Sequence, residues 1–225
     1  MASYLVSDFN GAKEYFENAG AAAWAEIEAI ASDLRLQLQP SDQRGIAGTP
    51  IFDPKATNAV LTAGAASHGW NRIPVPQSLR PFGLDWDGGK GSVLVEYQFS
   101  NYPFLWNNII RTEAVFKSGD TIAPLTASVE ALVIITKSGC LPASNSTLYY
   151  EQADAQIRTV TSLDVFDIPI RLVGITVTET AQSVEADWNE YPERYGRTAA
   201  HTTRRTFTVT RGRARQYGQQ PITFG

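Results

Sequence analysis

Three short apolar runs constrain this chain more than any other feature. They are SVLVEYQF at 92–99, ALVIITK at 131–137 and PIRLVGITVTE at 169–179, each rich in β-branched or aromatic residues and bounded by turn-forming residues. Runs of that length read as buried strands. Between them, residues 103–117 place Leu105, Ile109, Ile110, Ala114 and Phe116 at helical spacing behind an early Pro103, where a missing N–H costs little. Residues 148–163, LYYEQADAQIRTVTSL, form a second helical stretch. Strand, helix, strand, helix, strand with near-continuous apolar strands predicts an α/β fold: a mixed β-sheet core flanked by helices on both faces.

Around that core the pattern is less regular. Residues 10–38 are alanine-rich, with Tyr15, Phe16, Trp24, Ile27, Ile30 and Leu34 at three- and four-residue steps. This predicts two helices broken near Gly20, the second ended by Pro40. Residues 41–58 read as a loop holding at most a short strand, and residues 58–67 as a further short helix. Three prolines in IPVPQSLRP, 73–81, predict an extended connector and exclude a central strand. A turn is expected at 87–91, DGGKG. From Arg197 onward, threonine-rich alternation predicts additional β-structure. The expected organisation is therefore a core with N-terminal helices over 1–180 and a β-rich C-terminal subdomain over 181–225, an extension of the same domain.

Charge separates the same two parts. All 23 Asp and Glu lie at or before Glu193, whereas seven of the 19 Lys and Arg follow it. The overall balance of −4 thus hides a basic terminal segment on an acidic body. Such a segment is either a solvated tail or a surface for an anionic partner, and the interleaved Tyr195, Phe207 and Tyr217 favour ordered strands. With 43% hydrophobic residues the chain has material for a core, which excludes disorder. It has no apolar run of about 18 residues and no basic-then-apolar start, so a cytoplasmic protein without a membrane partner is expected. One cysteine, Cys140, and two histidines leave no zinc cluster, and any metal must be held by oxygen. Asn145-Ser146-Thr147 has the form of a glycosylation sequon, but without export its hydrogen-bonding capacity matters more.

The stretch GLDWDGGKGSVLVEYQFSNYPF, 83–104, carries the candidate chemistry. Alternation along the strand puts Leu94, Glu96 and Gln98 on one face and Val93, Val95, Tyr97 and Phe99 on the other. Glu96 and Gln98 are then neighbours, about 7 Å apart at the backbone. A hairpin through the glycines returns Asp87 to Glu96. Two convergent carboxylates on a rigid sheet suit Mg²⁺, which takes oxygen ligands and keeps places for water and phosphate. The matching reaction is phosphodiester hydrolysis. On the residues alone, an Asp by a turn and a Glu on an edge strand are also ordinary surface features.

The flanks narrow the choice. At VEYQFSNYPFLWNNIIR (95–111), PASNSTLYYEQA (142–153) and VFDIPIRLVG (165–174) the chain closely resembles the Bgl II family of type II restriction endonucleases. SDQ at 41–43, IFDP and TN within 51–58, IPVP at 73–76 and RYGRT at 194–198 extend the resemblance in the same order over most of the chain. It implies a restriction-endonuclease-like core of the PD...(D/E)xK class and a homodimer. It also implies Mg²⁺-dependent cleavage of double-stranded DNA at the palindrome AGATCT, after the first A, leaving 5′-phosphates. Asp87 and Glu96 would be metal ligands, the carbonyl of Tyr97 a further ligand, and Gln98, in place of the lysine usual in the class, would orient the attacking water. A fourth active-site residue in the family is an asparagine directly before IPVP. Arg72 stands there in this chain, and Asn71, one position earlier, is the candidate.

The resemblance also implies DNA contacts by Ser100, Asn101, Arg111, Asn145, Ser146, Tyr195 and Arg197. Arginine and asparagine suit such contacts, since they pair with guanine and adenine edges in the major groove. Arg204, Arg205, Arg211, Arg213 and Arg215 suit phosphates. Read without the resemblance, Asn145 and Ser146 are equally helix caps, Arg111 a partner of Glu113 or Glu151, and Tyr195 a core residue. Two other functions remain compatible with the sequence: a non-catalytic sequence-specific DNA-binding protein on a nuclease fold, and a structure-specific repair nuclease.

Overall fold

The computed structural model describes residues 3–144, 148–193, 196, 198–215, 217 and 219–225. Asn145, Ser146, Tyr195 and Arg197 lie outside the described residues. Among those described, the three apolar runs form the centre of a six-stranded sheet. They are β6 (Val93–Tyr97), β7 (Ala131–Lys137) and β8 (Ile170–Thr176), paired parallel in that order. Antiparallel strands complete the sheet at both sides. β1 (Ser3–Phe9) adds to β8, while β5 (Asp85–Lys90) and β4 (Asn71–Pro74) follow β6. The order is β1-β8-β7-β6-β5-β4, a mixed sheet.

Alternation along these strands sends side chains into two separate apolar clusters. Leu94, Leu132, Ile134, Ile170 and Leu172 face one side, where α4 (Tyr102–Ser118) and α5 (Tyr150–Thr161) bring Leu105, Ile109, Ala153 and Ile157. Val93, Val95, Tyr97, Val133, Ile135 and Val173 face the other. That side is covered by α1 (Ala12–Glu17), α2 (Ala21–Asp33), α3 (Pro54–Ser67) and a second, five-stranded sheet. A strand buried on both faces has no use for a polar position unless the polar group is partnered. Glu96 on β6 and Gln98 just past its end are the exceptions.

The second sheet has the order β11-β10-β9-β2-β3 and draws on both ends of the chain. β9 (Ser183–Glu190), β10 (His201–Arg211) and β11 (Ile222–Phe224) supply the β-structure expected after the core. β2 (Leu36–Pro40) and β3 (Pro50–Phe52) come from the N-terminal part. The sheet curls toward closure: the carbonyls of Cys140 and Pro142 accept the N–H groups of Ile222 and Phe52, bridging its outer strands.

Several local expectations change. The second N-terminal helix ends at Asp33, and residues 36–40, LQLQP, form β2 with Leu36 and Leu38 fully buried. Its period of two wins over the helical spacing upstream once β9 and β3 pair on either side. Pro40 ends a strand and not a helix. α3 starts four residues earlier than expected, because Pro54 sits at its first position and the Asp53 carboxylate accepts the N–H groups of Lys55 and Ala56. Residues 71–74 pair as an edge strand, where prolines are tolerated, and 77–82 form a short 3-10 turn. Gly88 and Gly89 belong to β5, leaving Gly91 at φ 61° to turn the hairpin.

Candidate active site

The hairpin of β5 and β6 places the acidic residues. Its ladder runs from Lys90–Val93 to Gly88–Val95 and then stops. On the far side of β5 the register with β4 shifts between the pairs Asn71–Gly89 and Ile73–Trp86, so that β5 gains one residue over its neighbour. A bulge of this kind re-aims a side chain. Asp87 lies within it, and its Oδ2 accepts the Tyr97 N–H at 2.8 Å, replacing the missing ladder bond. N–H and C=O of one strand residue leave by the same edge. The Tyr97 carbonyl therefore points to the Asp87 side, while its ring packs in the opposite cluster near Leu61.

Glu96 stands beside Asp87, within hydrogen-bonding reach of its carboxyl. Both are enclosed, and burial raises both pKa values. Asp87 is raised by burial against the opposing effects of the Tyr97 N–H and the Arg72 guanidinium. Burial pushes Glu96 up to about 8, with Asp87 adding to the rise and Arg111 opposing it. Two adjoining carboxyls, one buried and one partly buried, resist double ionisation unless a cation joins them.

Arg111, expected from the resemblance to contact DNA, turns inward to the carboxylates. It is 3% exposed and forms an ion pair with Glu96 Oε1. Its Nη2 also donates to the Asp85 carbonyl at 2.9 Å and its guanidinium lies 4.9 Å from the Trp86 ring. Glu113 and Glu151 are engaged elsewhere, the first with Lys117 and the N–H groups of Asp167 and Ile168, the second with Ser138 and Gly139. A guanidinium so enclosed reaches a base only by leaving Glu96. Gly83 makes the seat: at φ 143° it has the freedom glycine requires, and a Cβ there would lie 1.9 Å from Arg111 Nη1.

The remaining residues divide. Gln98, 5% exposed, donates from Nε2 to Ser100 Oγ at 2.7 Å. Ser100 and Asn101 are exposed at the mouth of the site, and Asn101 occupies the N-cap of α4 without a side-chain capping bond. Asn71 is not brought to the carboxylates: its amide donates to the Gly69 carbonyl at 3.2 Å. Arg72, on the alternate face of β4, approaches Asp85 at 3.7 Å and acts on Asp87. α5 begins at Tyr150 with Tyr149 as N-cap and without a side-chain capping bond. Asn108, which the sequence reading passed over, donates to both Glu96 and Gln98. Its signal was an asparagine in helical phase with Leu105 and Thr112 on the buried face of α4.

Among the C-terminal arginines, Arg204 and Arg205 lie exposed on β10, Arg204 near Asp187 and Arg205 over the Trp188 ring. Arg213 and Arg215 are exposed beyond it. Arg211 is different, since its Nη2 donates to the carbonyls of Thr178 and Ala181 and ties β10 to the segment before β9.

The family model described as "Restriction endonuclease BglII/BglIII" matches residues 4–175. The chain belongs to the BglII/BglIII family of restriction endonucleases. It is 42% identical over 171 residues to the type II restriction enzyme BglII of Bacillus subtilis, covering 76% of this chain and 74% of that protein. It is accordingly an enzyme of the type II restriction class. The crystal structure of BglII complexed with a DNA 16-mer matches at a TM-score of 0.89 and 36% identity, covering 99% of this chain and 100% of that one. Free BglII matches at 0.71 and 31%, covering 98% and 99%. The arrangement of this chain is thus nearer to that of the DNA-complexed relative.

Proposed function

We propose that the chain hydrolyses double-stranded DNA in a Mg²⁺-dependent reaction at a palindrome containing GATC, with AGATCT cut after the first A as its site, leaving 5′-phosphates. The observation that carries the reading is the convergence of Asp87, Glu96 and the Tyr97 carbonyl edge at the end of the β5–β6 ladder, with Gln98 next along the same strand face. Among the described residues no group of three or more His, Cys, Asp or Glu converges. The donor set nevertheless suits Mg²⁺, which is commonly held by one or two carboxylates and completed by water and phosphate oxygens. The paired, burial-raised carboxyls give the same indication, since a cation between them relieves their repulsion.

Asp87, Glu96 and the Tyr97 carbonyl would hold the ion. When bound, Mg²⁺ supplies a water of lowered pKa and neutralises charge developing at phosphorus. Gln98 holds the attacking water by its amide, and Arg111 offsets the charge of Glu96. Arg111 is assigned here to the catalytic floor, not to a base. Asn71 is left as a candidate for a role that its present hydrogen bond to Gly69 does not serve.

Ser100 and Asn101, at the mouth of the site, are the base-reading candidates among the described residues, with Asn145, Ser146, Tyr195 and Arg197 assigned on the family resemblance. Residues 181–225 act as the DNA-binding extension, where Arg204, Arg205, Arg213 and Arg215 meet phosphates. A homodimer, each subunit cutting one strand, matches the symmetry of a palindrome. No helix among the described residues is long and apolar enough to cross a membrane, in keeping with an enzyme that works in the cytoplasm.

Digesting phage DNA with purified protein and Mg²⁺, then sequencing the fragment ends, tests site and stagger together. Discrete fragments ending in GATC-containing overhangs are expected. Diffuse degradation, or no cleavage with any divalent cation, would overturn the proposal.

A further inference from the structure

We propose that Asn108 is a positioning residue of the nuclease site, one that locks Glu96 and Gln98 into a single relative orientation. The inference rests on the function proposed above, in which those two side chains serve the reaction. Asn108 is 5% exposed in the middle of α4, where asparagine is a poor helix former and a buried amide must be partnered. Its Nδ2 donates to Glu96 Oε2 at 3.2 Å and to Gln98 Oε1 at 3.1 Å. An amide nitrogen has two N–H groups, and each is directed to a different strand residue.

The consequence for Glu96 is a carboxylate held at both oxygens, Oε1 by Arg111 and Oε2 by Asn108. For Gln98 it is a choice of amide orientation. Oε1 faces Asn108 and Nε2 faces Ser100; the Ser100 hydroxyl can pair with either end of the amide, so it is the Asn108 donor that a flip would lose and that fixes the orientation. The second lone pair of Oε1 stays available to accept from a water. A lysine at position 98 would offer Asn108 no acceptor. Asn108 and Gln98 are therefore a matched pair, and the glutamine at this strand position has its complement on the helix.

The helix turn that carries Asn108 is itself fixed. Thr112 Oγ1 donates to the Asn108 carbonyl at 2.6 Å and accepts the Trp86 indole N–H at 2.9 Å. Trp86 is fully buried next to Asp87 on β5. Both strands of the catalytic hairpin are thus tied to one turn of α4.

Asn108→Leu, of similar size but without donors, and Asn108→Asp, of the same shape but without the amide donors, test the assignment. Three quantities are compared with the unaltered protein: cleavage rate as a function of Mg²⁺ concentration, affinity for an AGATCT duplex without metal, and Mn²⁺ binding. The last is followed by loss of the free-ion EPR signal, with protein bound to a duplex carrying a non-hydrolysable linkage at the cut site. Loss of an outer-sphere partner typically costs about 10–100-fold in metal affinity or activity. A loss of that size is expected in cleavage and Mn²⁺ affinity, with metal-free duplex affinity unchanged. The assignment falls if both variants keep the Mg²⁺ dependence and Mn²⁺ affinity of the unaltered protein, or if the loss vanishes when rates are scaled to the folded fraction. Should Asn108→Leu not fold, Asn108→Asp alone decides. Failure of the unaltered protein to cleave with Mg²⁺ would strike the proposed function instead, and is thereby told apart.

Discussion

Arg111 and Glu96, fifteen residues apart on α4 and β6, form a buried ion pair directly beside Asp87. The pair joins the acidic strand to the helix that covers it, and it makes the charge state of the site depend on a residue that the sequence suggests for another task.

For Asp87→Asn and Glu96→Gln, cleavage should fall by more than the roughly 100-fold upper figure typical for an outer-sphere partner, because a direct ligand is lost. Duplex affinity without metal should stay close to that of the unaltered protein. Gel shift beside a cleavage assay measures both, and either variant at full activity removes Asp87 or Glu96 from the metal site.

Arg111→Met takes the cation from beside a buried carboxylate. Breaking a buried pair costs about 3–5 kcal/mol where the remaining charge stays uncompensated. Protonation of Glu96 reduces that cost, so a smaller fall in unfolding free energy is expected at low pH than at high pH. Cleavage should drop on every substrate. A loss of about 1–3 kcal/mol confined to cognate duplex affinity, with stability intact, would instead mark a base contact.

Gly83→Ala places a Cβ against Arg111 Nη1 and a side chain at φ 143°. Strained backbone of this kind costs of order 1–3 kcal/mol. Lower thermal stability and lower cleavage should appear together, whereas Gly48→Ala, which also has positive φ but open space around it, should lower stability alone. Equal activity in the two variants would show that Arg111 does not depend on its seat.

Lys137, at the end of β7, is buried on the face away from Glu96, and burial lowers its pKa from 10.5 to about 8 against the opposing pull of Glu151 and Cys140. Between about 8 and 10.5 the unfolded chain binds the extra proton. Unfolding free energy should therefore rise with pH across that window, and the destabilisation is fully present below it. Lys137→Met should flatten the rise and raise Tm near neutral pH. Denaturant titrations at several pH values give the slope directly, and an unchanged slope in the variant would assign it to another group.

Arg213→Ala should weaken binding to all duplexes alike and reduce the slope of log affinity against log salt by about 1, the mark of one lost phosphate contact. A sequence-dependent loss would place Arg213 at a base.

Much of this protein is legible in its sequence. The central strands β6, β7 and β8 follow from apolar runs that only a doubly covered sheet can bury, and β7 falls on the same residues, 131–137, that the sequence marks. Side-chain alternation alone puts Glu96 and Gln98 on one face, and the glycine hairpin returns Asp87 to them, because period-two geometry and tight turns are local properties. What tertiary structure decided is the part set by distant partners. β1, with little buried of its own, is a strand because β8 offers it an open edge some 160 residues away in the chain, and LQLQP is a strand because β9 and β3 flank it. The same holds within the site: helical phase puts Asn108 on the buried side of α4, but that it and Arg111 meet Glu96 is decided by how the helix packs on the sheet. Residue pattern determined the central strands and the carboxylates, and packing decided the outer strands and which cation and which amide hold the site.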